Sequence, residues 1–234
     1  MIGSLIQMSL FLVCFRYVLG GAIAATGGVP YVDFLVPGFI ATGVLFAMIG
    51  SAVGVAEDLE QGFVDRLRSL PIPRSSLLTG RLVADTVAVV LNLAVATLIG
   101  FLIGFRLHGS VVDGLAAFGM CVVFAIAFGW VFLTLGLFAR TGQAAQQMSL
   151  AVFPFTFLSS AYVPVATMPT WLRVFAENQP ITPMVDAVRA LTLSGAAPAI
   201  LGHDAAYFVI RALVWTAVIV GVFAPLAVLR YRRS

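Results

Sequence analysis

Apolar residues run along this chain in long unbroken blocks, parted by short polar stretches. The blocks fall near 1–19, 36–56, 83–105, 115–138, 146–163 and 207–229. Each is close to the ~20 residues that an α-helix needs to cross the hydrocarbon core of a bilayer. Barrel strands would instead alternate apolar and polar over about 10 residues. The pattern predicts an all-α, polytopic membrane protein with about six transmembrane helices, forming a single domain over 1–234. A helix satisfies its backbone polar groups internally, so such runs are stable where no water reaches them. The first block opens at the Met, with no charged n-region and no small-residue cleavage site. A cleaved signal peptide is therefore not expected.

Two polar connections are long enough to carry structure of their own. Residues 57–82 contain Leu59, Phe63, Leu67 and Leu70, an apolar stripe at helical spacing. Pro71 and Pro73 end that helix, because proline lacks the N–H that would continue it. Residues 164–206 hold Trp171, Leu172, Val174 and Phe175 at helical spacing, and Asn178-Gln179-Pro180 then breaks the pattern. Thr182-Pro183 reads as an N-cap followed by proline at the first helical position, with Asp186 in the first turn. Two short helices lying in, or dipping into, the interface are expected there.

Composition agrees with the pattern. Hydrophobic residues make up 61% of the chain and charged residues 10%, against roughly 25% charged in soluble domains. The mean hydropathy is +1.07. All 13 basic residues are arginine, so no phosphate-binding Gly-rich loop ending in Lys-Ser/Thr is present. The arginines are scattered between apolar blocks, which reads as membrane topology rather than nucleic-acid binding. Arg66, Arg68, Arg74, Arg81, Arg140, Arg230, Arg232 and Arg233 fall on one side of the predicted bundle. Arg16, Arg106, Arg173, Arg189 and Arg211 fall on the other. The first side is expected to be cytoplasmic, with the chain in the cytoplasmic membrane and both termini on that first side.

Candidate chemistry is sparse. Asp85 follows Arg81 by four residues, either as an ion pair at headgroup level or as a substrate or gating contact. Asn92 is a candidate for cavity lining or for interhelical hydrogen bonding, and Gln143 and Gln147 either line a polar inner cavity or mark the interface. Pro154 is expected to kink its span. Gly50 with Gly54, and Gly100 with Gly104, fit a small-xxx-small spacing. Cys14 and Cys121 lie in apolar blocks and read as packed thiols. His108 and His203 have Asp113 and Asp204 nearby, too few ligands for a metal. No Ser or Asp pair in the blocks comes with an intramembrane His, so a membrane hydrolase lacks its base.

Four stretches carry a resemblance to a known family: Phe15–Ile23, Tyr31–Gly38, Glu57–Arg74 with its Arg66-Leu67-Arg68-Ser69-Leu70-Pro71 core, and Asn178–Leu191. In this order and over nearly the whole chain, the sequence resembles the ABC-2 exporter permeases of the daunorubicin/doxorubicin-resistance type. That family begins with an amphipathic helix ahead of the first span, whereas here the sequence opens on the span. The resemblance implies a pair of six-helix subunits, either two copies or a copy with a sister permease. Each sits on a separate cytoplasmic ATPase subunit that binds ATP and Mg, so this chain would hold no cofactor and hydrolyse nothing. Glu57, Leu59, Glu60, Phe63, Arg66, Leu67 and Arg68 would form the coupling helix against that ATPase. Asn178, Gln179, Pro180, Pro183 and Asp186 would form an outer gate or re-entrant segment. Hydrophobic drugs, antibiotics or lipids would be exported, with a polysaccharide or glycolipid cargo, or a secondary transporter, as the alternative. Secondary transporters often carry midplane carboxylates, whereas here the acids cluster near block ends and in connections.

Overall fold

The computed structural model of the chain describes Cys14 and residues 29–62, 74–139 and 141–233. The first expected span lies outside the described residues except for Cys14, as do Phe63, Arg66, Leu67 and Arg68. The described residues form α1 (Tyr31–Glu60), α2 (Arg74–Leu102), α3 (Val111–Phe138), α4 (Gly142–Leu150), α5 (Val152–Phe157), α6 (Thr170–Asn178), α7 (Ile181–Leu193), α8 (Ala197–Leu201) and α9 (Ala205–Arg233). No strand occurs among them.

Among the described residues, five stretches are long and apolar enough to cross a membrane: Tyr31–Glu60, Leu78–Leu102, Val111–Phe138, Ile181–Leu201 and Ala205–Tyr231. Helices α1 and α3 are central, with 61% and 67% of their apolar windows buried. Helices α2 and α9 are peripheral, at 22% and 17%. Their outward faces carry Val83, Val87, Leu91 and Leu98, and Ile210, Val214, Val218 and Val222. Apolar faces of this length suit hydrocarbon as their solvent.

The ends of the bundle are defined by polar contacts. At one end, the Arg106 N–H donates to Asp33 Oδ1 at 2.9 Å. His108 Nε2 lies 3.6 Å from Asp33 Oδ2, and the His108 N–H donates to the Thr192 carbonyl at 3.0 Å. This Asp33 end gathers the start of α1, the α2–α3 connection and the end of α7. At the opposite end, Arg81 pairs with Asp58, and the Gly142 N–H donates to Glu60 Oε2 at 3.4 Å. Asp113 serves as a helix cap and not as a partner of His108: Ser110 and Asp113 bond each other's backbone N–H at the start of α3.

Two expectations are corrected. The block 146–163 is not one helix. It is α4, α5 and a turn, with the break at Ala151. Pro154 has no N–H for the Leu150 carbonyl, and its ring clashes there, so the helix stops one turn before the proline. The connection 164–206 does not lie wholly at the interface either. Helix α6 is exposed, but nearly every residue of α7 is buried, packed among α1, α3 and α9.

Candidate functional site at the α6–α7 pair

Helices α6 and α7 are joined by Gln179 and Pro180 alone. Trp171, Val174 and Phe175 give α6 an exposed apolar face. Helix α7 starts at Ile181, earlier than the Thr182-Pro183 pair suggests. Thr182 does not cap it. The Gln179 side chain does the local work: Nε2 donates to Thr182 Oγ1 at 3.2 Å and to the Phe155 carbonyl at 3.4 Å, and Oε1 accepts from the Ile181 N–H at 3.4 Å. Pro183 falls within the first turn, where its missing N–H costs nothing because those donors have no intrahelical partner. Asp186 therefore sits in the second turn and not the first.

Asp186 and Arg189 form the centre of the site. Arg189 is fully buried, at 0% exposure, inside an apolar stretch. Isolated, a guanidinium there would be very costly. Each of its nitrogens is used. Nη1 donates to Asp186 Oδ1 at 2.7 Å. Nε donates to the Phe34 carbonyl at 3.0 Å. Nη2 donates to the carbonyls of Ser160 and Ala161 at 2.9 and 3.1 Å. The Phe34 ring lies 3.6 Å from the guanidinium carbon, a cation–π contact. Ser160 Oγ adds a 2.7 Å bond to Asp186 Oδ1.

One side chain thus joins three segments: the first turn of α1, the turn after α5, and α7. The need for it is physical. Residues 159–162 are non-helical backbone packed within the protein, and carbonyls there need donors. Arg189 supplies them through its planar set of N–H groups, which lysine could not reproduce. Gly38 makes the approach possible. A Cβ at this position would collide with the Ala161 carbonyl oxygen and lie 2.6 Å from Arg189 Nη2. Tyr31 and Thr42 stitch the same turn to α1, through the Tyr162 carbonyl and hydroxyl, each at 3.2 Å.

Beneath the hairpin turn lies an apolar cavity of about 370 Å³, lined by Phe128, Phe155, Phe175 and Ile181 among others. Asn178 and Gln179 stand at it, but Asn178 donates to the Val174 carbonyl of its own helix at 2.8 Å.

The remaining candidates are dispersed. Asn92 bonds the Ala88 carbonyl of its own helix at 2.9 Å and, among the described residues, links no second helix. Gln143 and Gln147 are exposed on α4. Glu57 and Glu60 are exposed at the end of α1, with Glu57 packed on Gly142. Leu59 packs into an intramolecular cluster with Val55, Leu78, Leu82 and Trp130. Arg189 itself escaped the sequence reading, which treated it as a charge in an outer connection. The signal was there: an arginine three residues after an aspartate within an apolar stretch is a functional candidate by default.

A bundle of this kind is a multi-pass membrane protein. The chain belongs to the ABC-2 type transporter family, whose model matches residues 1–193. It is 30% identical over 228 residues to a daunorubicin resistance ABC transporter permease protein of Streptomyces coeruleorubidus, covering 96% of this chain and 77% of that one. It is 27% identical over 237 residues to a probable doxorubicin resistance ABC transporter permease protein of Mycobacterium tuberculosis, covering 100% and 82%. An inner membrane transport permease of Escherichia coli is 25% identical over 195 residues, covering 81% and 73%.

Proposed function

We propose that this chain is the membrane-spanning subunit of an exporter for hydrophobic drugs or lipids, driven by a separate ATPase subunit. Membership of the ABC-2 type transporter family carries the reading. The chain has no lysine for a phosphate-binding loop, so ATP and Mg belong to the partner. A second copy or a sister permease completes the pathway.

The Asp58 end faces the cytoplasm and the Asp33 end faces out. Two features support this orientation. Arg66, Arg68, Arg74, Arg81 and Arg140 all belong to the Asp58 end by sequence, with Arg230, Arg232 and Arg233. Arg189, once counted on the opposite side, is a buried structural residue and drops out of the tally. The segment 57–70, which is the last turn of α1 and the connection that follows it, then lies where ATP is and acts as the coupling element. The hairpin α6–α7 forms the outer gate, held by Arg189. The apolar cavity below it suits hydrophobic cargo.

The test is reconstitution. Co-expressed with a P-loop ATPase and placed in vesicles, the chain should move daunorubicin with ATP and not with a non-hydrolysable analogue. Phe63→Ala and Leu67→Ala should cut that transport and weaken co-purification of the ATPase. If both variants keep full transport and normal co-purification, 57–70 is not the coupling element. If no ATPase binds and no ATP-dependent transport occurs, the exporter reading fails.

A further inference from the structure

We propose that Arg81 is a positioning residue that locks the cytoplasmic ends of α1 and α2 into one unit, so that displacement of the chain joining them moves both spans together. The inference rests on the exporter reading above, which places the ATPase at this end.

The geometry is a ladder between two helices. Ser51, Gly54 and Asp58 share one face of α1, spaced by three and four residues. Arg81 and Asp85 share the facing surface of α2. Ser51 Oγ donates to Asp85 Oδ2. Arg81 Nη1 donates to Asp58 Oδ2, and Arg81 Nε lies 3.7 Å from Asp85 Oδ2. The guanidinium lies directly over Gly54. A Cβ there would overlap Arg81 Nη2. The last turn of α1 also reaches further, since Glu60 accepts from the Gly142 N–H at the start of α4.

An i,i+4 Arg–Asp pair on one helix is ordinary surface chemistry and by itself worth little. Here the same arginine crosses to a second helix, and the lack of a Cβ at Gly54 on that helix leaves room for its guanidinium. The contacts resist relative sliding of α1 and α2 at the end where force would enter. Without them, displacement of the connection would be spent on parting the two helix ends.

Gly54→Ala isolates the idea. It deletes no charge, and what it displaces is the tip of a flexible side chain, so the fold should survive. Gly50→Ala, one turn away on α1, meets nothing within 4 Å among the described residues and is the control. The first readout needs no ATPase. In a Cys14→Ser/Cys121→Ser background, spin labels at Gln61→Cys and Gly80→Cys report the separation of the two helix ends. Their distance distribution should be unchanged by Gly50→Ala, and broadened or lengthened by Gly54→Ala and by Arg81→Gln. The second readout is daunorubicin moved per ATP hydrolysed in the reconstituted complex. It should fall roughly fivefold or more, at the low end of coupling between linked sites, with hydrolysis and melting temperature retained. Arg81→Lys should recover part of it through the single charge. An unchanged label distance in Gly54→Ala removes the lock. A changed distance with an unchanged transport ratio, or a loss that merely follows a lower melting temperature, removes the coupling role. A wild-type chain that binds no ATPase sinks the exporter reading and the coupling role together, while the label distances still judge the lock.

Discussion

Nε of Arg189 donates to the carbonyl oxygen of Phe34 at 3.0 Å, across 155 positions of sequence. The bond ties helix α7 to the first turn of the central helix α1. Since the same guanidinium also holds Ser160 and Ala161, the hairpin and the turn after α5 share one anchor. An outer gate built here opens only if that anchor moves as a unit or lets go.

Removing the anchor should be costly. Arg189→Met leaves Asp186 without its cationic partner in an apolar setting and strips donors from buried carbonyls. We expect a loss of about 3–5 kcal/mol, the range for breaking a buried pair from one side. A double variant, Arg189→Met with Asp186→Leu, distinguishes two roles. If the pair only neutralises itself, the double variant should unfold near the wild-type temperature. Because Arg189 also serves Phe34, Ser160 and Ala161, it should stay destabilised by roughly 1–3 kcal/mol per orphaned carbonyl at most. Thermal unfolding in detergent micelles measures both.

Gly38→Ala attacks the same site from α1. Its Cβ has no room because the nearest obstacle is backbone, the Ala161 carbonyl, which cannot swing away. Overpacking of this kind costs typically about 1–3 kcal/mol. Gly119→Ala on α3 meets nothing within 4 Å among the described residues and should stay within about 0.5 kcal/mol of wild type. Equal melting temperatures for the two variants would show that the turn can retreat from α1.

Orientation is checked with reporter fusions. Fusions after Arg233 and near Gly142 should read cytoplasmic, and one near Gly195 external. An external signal at Arg233 would invert the bundle and move the coupling segment away from ATP.

The purified chain by itself should hydrolyse no ATP, since none of its basic residues is a lysine. Hydrolysis from a preparation shown by mass spectrometry to lack any other subunit would contradict this.

The long helices were legible because what makes them is local. A run of about twenty apolar residues meets the length of the hydrocarbon core whatever surrounds it. The break at Ala151 was half legible for the same reason: Pro154 acts on its own preceding turn, so a disturbance was foreseeable, though a complete stop before a non-helical turn was not. The Arg81–Asp85 pair was likewise readable, being one helical turn long. Asp58 as a second partner of Arg81 was not, since it depends on how α1 packs against α2 and on the gap left at Gly54. Glu57 and Leu59 were read as facing a partner, but Leu59 turns into the bundle and Glu57 onto Gly142, directions that only packing sets. Arg189 is the plainest case. Three of its acceptors are backbone carbonyls, from Phe34, Ser160 and Ala161. Every residue type has such a carbonyl, so no pattern of side chains announces which will be left without a donor. That is known only once the turn after α5 is folded into the apolar interior, where an unpaired carbonyl is costly and an arginine becomes worth burying.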